Sequence, residues 1–269
     1  DNVAAVLNYI VRRHQTGGYI GINADIPMSC IWGNNNVTAK INHKKSEWGI
    51  NYYGGYRSFK NYWRENSETF NFENDPSFTR VEEGIPDKVK MHRDNLTMSY
   101  SYQEEEKWFI NVALRGNFRG NKQNTQSTLY PISNPANSVE MKDYTGSNSK
   151  SPSLDIYLQR NLKHNQAIIL NTVGTYIHTY DDRTYEEKKH SDIVTDIYSA
   201  IRGKKYSFIG EGIYEKAFKD GGKLSAGVRH TQGYTDNDYN GTLQYSSQMK
   251  QADTYAYAQY NGKWGKLGY

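Results

Sequence analysis

Few residues in this chain have the types and spacing that catalysis needs. No GxSxG motif occurs, and "DGGKLS" around Lys223 lacks the first glycine of a phosphate-binding loop, which indicates a hairpin turn. The only cysteine, Cys30, excludes an intrachain disulfide framework and a CxxC metal site. The histidines include no HExxH motif or other metal-binding pair; they are His14, His43, His92, His164, His178, His190 and His230. We therefore expect that the protein is not an enzyme.

One segment could hold a metal ion. "DNDYNG" places oxygen-bearing side chains at the first, third and fifth positions of an EF-hand-type loop, with glycine sixth. These candidate calcium ligands are Asp236, Asp238 and Asn240. The twelfth position is Ser247 instead of the bidentate glutamate, which favours a flexible loop rich in Asp, Asn and Gly. We expect no cofactor, with Ca²⁺ as the one candidate.

Aromatic residues within polar stretches are the candidate substrate-binding residues. Exposed rings among hydrogen-bonding groups can stack on sugars or hold a peptide, and such groups often lie on loops of a rigid scaffold. The alternative is that they pack on neighbouring loops or on a membrane surface. The candidates are Tyr62, Trp63, Phe70, Phe72, Tyr234 and Tyr239.

The elements that must position these residues are β-strands. Apolar and polar residues alternate in about ten segments, for example from Leu96 to Tyr102 and from Trp108 to Phe118, and an eleventh segment begins near Trp264. No segment has the periodicity of an amphipathic helix. The pattern predicts an all-β, antiparallel fold.

The connections between these segments alternate in length. "HKKSE", "QEEEK", "NLKHN", "KDGGK" and "NGK" predict short turns, whereas the polar stretches 58–93, 119–151, 179–204 and 231–252 predict long loops. Short periplasmic turns and longer extracellular loops are typical of a transmembrane β-barrel. Strands of about ten residues are also long enough to cross a bilayer when tilted. A soluble sandwich would accommodate such loops poorly.

Composition is consistent with this interpretation. Mean hydropathy is -0.89, and the chain lacks the run of about 20 apolar residues that a membrane-spanning helix needs. A barrel strand needs apolar residues on one face only. The 24 tyrosines against 8 phenylalanines suit strands and membrane interfaces, although a soluble β protein could share them. The net charge of +4 is dispersed, so nucleic acid is not an expected partner.

The count of strands suggests an incomplete barrel. Every backbone amide in hydrocarbon must be paired, so an open sheet edge cannot face lipid. The chain also opens on "DNVAAVLNYIVRRHQ" without the cationic and apolar regions of a signal peptide. We expect a piece of a longer protein, although removal of a signal peptide would also explain this opening.

Three segments resemble TonB-dependent outer-membrane transporters. "NVAAVLNYIVRRHQTGGYIGIN" resembles the junction of plug and first barrel strand, with Ala5 to Ile10 in the position of the last plug strand and Arg12 and Arg13 after it. "KYSFIGEGIYEKAFKDGGKLSAGVRHTQGYTDNDYNG" looks like mid-barrel strands of these proteins. "TYAYAQYNGKWGKLGY" is similar to the strand–turn–strand that follows in large members.

The resemblance implies an antiparallel transmembrane β-barrel, of which this chain forms about half of a 22-stranded wall. Residues 1–16 would end the plug domain and form the plug–barrel junction, and residues 17–269 would form barrel strands, short periplasmic turns and long extracellular loops. The implied location is the bacterial outer membrane.

The implied function is energy-coupled import of a scarce nutrient such as a glycan, a peptide or a metal chelate. The implied partners are outer-membrane lipid, the protein's own plug domain, the TonB complex through segments absent from this chain, and a surface lipoprotein. Two alternatives stay open: a soluble β-rich surface binding or adhesion module, and a passive outer-membrane porin.

Overall fold

The computed structural model describes residues 16–27, 31–73, 75–219, 221–264 and 267–268. The predicted plug segment, residues 1–16, lies outside them apart from Thr16. Every regular element among the described residues is a strand. The same residues include no helix that is long and apolar enough to span a bilayer.

The strands differ greatly in length, from two residues in β13 and β14 and nine in β1 to 26 in β10. Their bounds are β1 Gly17–Asp25, β2 Ile31–His43, β3 Ser46–Tyr62, β4 Glu65–Phe70, β5 Phe78–Ile85, β6 Asp87–Glu104, β7 Trp108–Pro131, β8 Val139–Leu162, β9 Gln166–Lys189, β10 Asp192–Ala217, β11 Lys223–Gly241, β12 Tyr245–Asn261, β13 Lys263–Trp264 and β14 Leu267–Gly268.

Twelve of these strands form one antiparallel sheet with neighbours in the order β1-β2-β3-β6-β7-β8-β9-β10-β11-β12. The β4–β5 hairpin extends β3 and β6, and β5 also pairs with β7. Pro86 separates β5 from β6, because proline has no N–H to donate to the ladder. The predicted all-β antiparallel fold is confirmed. Within the described residues the sheet does not close on itself, as expected for part of a barrel.

Four of the five predicted short turns join paired strands. They occupy residues 44–45, 105–107, 163–165 and 218–222. Lys44, Glu106, His164 and Asn165 have φ between 52° and 62°, the left-handed backbone that tight hairpin turns require. The fifth turn, "NGK", does not join two strands of the large sheet. Instead Lys263–Trp264 pairs with Leu267–Gly268 in a separate two-stranded sheet, so the prediction of an eleventh strand in the large sheet from Trp264 is wrong for the described residues.

The prediction of long irregular loops is also wrong. Strands β7 to β12 continue through the polar stretches, and β9 meets β10 at a two-residue turn, His190–Ser191, inside the stretch 179–204. Polar residues occupy both faces of these strand halves, which removes the hydrophobic alternation. The backbone N–H and C=O groups that form the ladder are present at every non-proline residue, so pairing continues without that signal.

The EF-hand-type geometry proposed for "DNDYNG" is wrong for the same reason. Asp236, Asp238 and Asn240 lie in β11 and pair with Lys204, Arg202 and Ala200 of β10. Alternate residues of an extended strand lie roughly 7 Å apart along one face and cannot wrap around an ion as a calcium loop does. In the described part of the chain, no three His, Cys, Asp or Glu side chains are grouped so that they could hold a metal.

Candidate functional site

The two faces of the large sheet differ in chemistry. Directly paired residues of neighbouring strands share a face. One row of such pairs runs from β1 to β10 and is almost entirely apolar: Ile20, Ala39, Ile50, Met98, Leu114, Leu154, Gly174 and Phe208. We call this the belt face, and the opposite side the polar face. The row next to it, towards the short turns, contains Ile41, Trp48, Tyr100, Val112 and Ile156.

The apolar side chains of the belt face are exposed. Ile20 is 72% exposed, Met98 45% and Leu154 42%. A continuous exposed apolar surface across so many strands is larger than the patches of ordinary soluble monomers and indicates an apolar environment. On β7 this apolar belt extends from Trp108 to Phe118. The ten steps between these residues, each of roughly 3.3 Å on strands tilted by about 40°, span about 25 Å, the height of the apolar band of outer-membrane barrels.

Aromatic side chains border the belt on both edges. Near the short turns, the ring centroids of Trp48 and Tyr100 are 5.6 Å apart. On the opposite edge, Tyr176, Tyr206 and Tyr234 form a row across β9, β10 and β11, with centroid distances of 4.8 and 6.3 Å. Tyrosine and tryptophan favour membrane–water interfaces because one end of the ring system is apolar and the other binds water.

The polar face of the same strands is hydrophilic. The Tyr53 hydroxyl donates to Asn34 Oδ1 at 2.9 Å, and Arg115 Nη1 lies 3.2 Å from Asp155 Oδ2. The Asn117 amide donates to Asn95 on the neighbouring strand. Polar groups of this kind suit a water-filled interior and would be destabilising in contact with lipid.

Three arginines of the polar face form a cationic patch. Arg93 of β6 pairs directly with Arg119 of β7, and Arg57 of β3 lies diagonally beside Arg93. Like charges directly opposite each other destabilise a sheet. No carboxylate lies within 4.0 Å of these arginines among the residues that the structure describes. The patch can attract and orient anions, and it has no group that could catalyse a covalent step.

A buried cluster supports the polar face beyond the belt. Glu82 is 7% exposed and accepts hydrogen bonds from Arg64 Nε and Ser127 Oγ, both at 3.0 Å. Val89, Leu129 and Met141 are the apolar residues buried on this part of the sheet. The cluster fixes the region where β4 and β5 join β7, which is the region that carries four of the predicted aromatic residues.

Hydroxyl donors also line the far end of the polar face. Burial raises the pKa of Tyr185 above its ordinary value, and the hydrogen bond to Glu187 raises it further. The phenol is therefore protonated at neutral pH and donates to the carboxylate.

The four aromatic candidates of the first polar stretch lie at one end of the sheet but do not form a single cluster. Tyr62 ends β3, and Trp63, 51% exposed, lies between β3 and β4. Phe70 stacks on Phe78 with a centroid distance of 5.7 Å. Phe72 is 56% exposed in the β4–β5 connection. Among the described residues, no ring contact joins Tyr62 or Trp63 to Phe70 or Phe72.

Tyr234 and Tyr239 were expected in one loop, but both lie in β11 and point to opposite faces. Tyr234 belongs to the aromatic border of the belt, with Lys250 Nζ 5.8 Å from its ring centroid. Tyr239 lies on the polar face, where its ring is 5.8 Å from that of Tyr245. Only Tyr239 of the two is placed where a solute on the polar face could contact it.

Five chains among the solved structures are similar in fold to this protein, and one of them is an uptake receptor. No protein-family model and no curated protein matches the sequence. The fold is similar to the crystal structure of the ferric yersiniabactin uptake receptor FyuA from Yersinia pestis, with a TM-score of 0.43 and 10% identity. The aligned region covers 93% of this chain and 45% of that one, so the chain spans less than half the length of the receptor.

Proposed function

We propose that the chain forms part of the wall of a transporter in the bacterial outer membrane. The observation that supports this proposal is the division between the two faces: a continuous exposed apolar belt between aromatic borders on one side, and hydrophilic side chains on the other. A soluble two-sheet protein would bury its apolar face against a second layer, and the described residues provide no such layer. A membrane barrel instead exposes that face to lipid.

The finer proposal is energy-coupled import of a scarce nutrient, such as a glycan, a peptide or a metal chelate. It rests on the resemblance of residues 2–23 and 205–241 to TonB-dependent transporters. The polar face would then contact the plug domain and the solute. The TonB complex and a surface lipoprotein would be further partners.

Within this function, the polar face supplies candidate solute contacts at the end farther from the short turns. Tyr239 offers a ring face there, and Trp63 and Phe72 are exposed in connections at the same end of the sheet. The arginine patch of Arg57, Arg93 and Arg119 adds positive charge on the same face. On β7 it begins one residue after Phe118, the end of the belt.

Cell fractionation tests the location. We expect the full-length protein in the outer-membrane fraction, from which high salt does not extract it because apolar burial does not depend on ionic strength. A protein that stays soluble and monodisperse without detergent would contradict the proposal and support the soluble binding module.

Uptake measurements then separate energy-coupled import from a passive porin. Dissipating the proton-motive force of intact cells should abolish accumulation of the solute if import is energy-coupled. Uptake that continues down its gradient after this treatment would support the porin.

A further inference from the structure

We propose that the belt face carries, immediately beyond the belt, a groove that binds the phosphate headgroup of an outer-leaflet lipid. The inference rests on the proposed function, because it requires the belt face to meet the membrane. The groove has a volume of about 690 Å³ and lies across β3, β6, β7, β8 and β9. It is on the side of the sheet opposite the candidate solute contacts.

Two glycines shape the floor of the groove. Gly120 of β7 and Gly146 of β8 are both buried. The His92 ring lies against Gly120 and the Asp182 carboxylate lies against Gly146, so closely that a Cβ atom at either glycine would collide with it. The shape of the groove therefore depends on glycine at these two positions, because a side chain at either position would fill part of its floor.

The height of the groove matches that of lipid headgroups. His92, Gly120, Asn148 and Tyr180 form one directly paired row across β6 to β9. The next row towards the belt contains Asp94, Phe118, Lys150 and His178, and its one apolar residue, Phe118, is the end of the belt on β7. A lipid whose acyl chains lie on the belt would thus place its headgroup in the groove.

The charge of the groove favours an anion. Lys90 of β6 and Lys122 of β7 are exposed and directly paired, although like charges in this arrangement destabilise a sheet. In the part of the chain that the structure describes, neither has a carboxylate within 4.0 Å. Asp182 is the one acidic residue among the lining residues, which also include His92. A phosphate between the two lysines would remove their repulsion.

The remaining lining residues can hydrogen-bond to the oxygens of a headgroup. Tyr56, Tyr144 and Tyr180, which carry hydroxyl groups, and Asn148, which carries an amide, are among the lining residues. A free phosphate could use the same groups, but it would gain nothing from the apolar surface beside them. The adjacent belt is the reason to assign the groove to a lipid and not to a soluble anion. Basic pockets at the membrane surface bind lipid headgroups in this way.

Lipid binding can be measured directly on the purified protein in zwitterionic detergent. The probe is phosphatidic acid labelled on its acyl chain, titrated by fluorescence anisotropy, with equally labelled phosphatidylcholine as the reference. We expect the wild type to prefer phosphatidic acid. Lys90→Gln with Lys122→Gln should weaken that binding by roughly 30-fold, the combined effect of two lysines near an anionic surface.

Two further variants control for nonspecific charge. Lys163→Gln with Lys219→Gln removes two exposed lysines of the short turns and should leave the affinity for phosphatidic acid unchanged. Asp182→Asn removes the carboxylate of the groove and should tighten binding several-fold. Equal losses in the two double-lysine variants would overturn the proposal in favour of diffuse attraction.

Inorganic phosphate separates the lipid from a soluble anion. If equimolar inorganic phosphate displaces the labelled lipid from the wild type, the groove is a soluble-anion site and the proposal is wrong. The titration and the cell fractionation can also fail independently. If the protein is recovered from the outer membrane but its lipid affinity does not change when Lys90 and Lys122 are substituted, the lipid-binding proposal is wrong and the proposed location stands.

Discussion

Ser127 has 1% of its surface exposed, and its hydroxyl donates to Glu82, which also accepts from Arg64. Such a group is stabilising only while each partner is present, because a buried carboxylate that loses a donor has no water to replace it. The contrast with the exposed arginines of the polar face is clear. Glu82 is placed to hold β5 against β7, whereas Arg93 and Arg119 destabilise their own strand pair and remain available for a ligand.

The first prediction follows from this buried hydrogen bond. Ser127→Ala should lower the free energy of unfolding by about 1.5–3 kcal/mol, the range for a hydrogen bond to a charged group. Denaturant titration in detergent micelles would measure it. Ser147→Ala, at an exposed serine of the same face, should change stability by less than about 0.5 kcal/mol. Equal effects of the two substitutions would show that the Glu82 hydrogen bond does not stabilise the fold.

A second prediction concerns the turn after β6. The hydrogen bond from Lys45, at 2.8 Å, and the one from Lys107, at 3.2 Å, lower the pKa of Glu104 to about 2. A depressed carboxyl pKa stabilises the turn above the ordinary value of 4.5 and loses this effect as the pH falls towards 2. Lys45→Gln should raise the pKa of Glu104 towards its ordinary value, and by more than Lys107→Gln does. Carbon-detected NMR titration of the Glu104 carboxyl measures the shift; a pKa near 4.5 in the wild type would contradict the ion pairs.

The alternation of apolar and polar residues predicts only part of each strand. In the half of each strand near the short turns, apolar and polar residues alternate, as in Ile110, Val112 and Leu114, and the predicted strands and turns are confirmed there. In the other half, segments such as "SNSKS" in β8 are polar on both faces, so no periodicity marks them and the sequence pattern predicts loops there. Extended pairing there is set by the neighbouring strands and not by local sequence.

The candidate site was only partly predictable for a related reason. The aromatic residues could be selected by type, but Tyr234 and Tyr239 are five positions apart, an odd offset, and therefore lie on opposite faces once the segment is a strand. The arginine patch was missed. Arg57, Arg93 and Arg119 come from three strands, and only the register reveals that they are neighbours.

A third prediction tests the two faces of one strand. Val112 pairs with Tyr100 and Ile156 in the middle of the belt, and Asn111 pairs with Ser101 and Tyr157 on the polar face. Val112→Arg should destabilise the protein in lipid by about 2–4 kcal/mol, because the charge would face hydrocarbon at mid-membrane. Asn111→Arg places the same residue one position away and should have a much smaller effect. Unfolding in lipid vesicles distinguishes the two, and equal effects would reverse the assignment of the faces.

Considered as a whole, the molecule has two unlike ends. The short turns at residues 44–45, 105–107 and 163–165 lie at the edge of the belt. At the other end, β9 and β10 continue beyond Tyr176 and Tyr206 to the turn at His190–Ser191. In the proposed orientation the short turns face the periplasm and the long strand ends stand outside the cell.

A fourth prediction tests this orientation. An epitope inserted between His190 and Ser191 should be bound by antibody on intact cells, and an epitope inserted between Lys163 and His164 only after the outer membrane is permeabilised. Both sites are exposed turns, so each should tolerate the insertion. Surface labelling of the second site alone would show that the orientation is inverted, and labelling of both would exclude a spanning sheet.

The ladder between β9 and β10 persists almost to its terminal turn. A solute captured against this region would meet side chains that backbone pairing already holds in place, so its association would involve little disorder-to-order transition. The heat-capacity change of binding should then correspond to the contact surface alone, with no contribution from coupled folding.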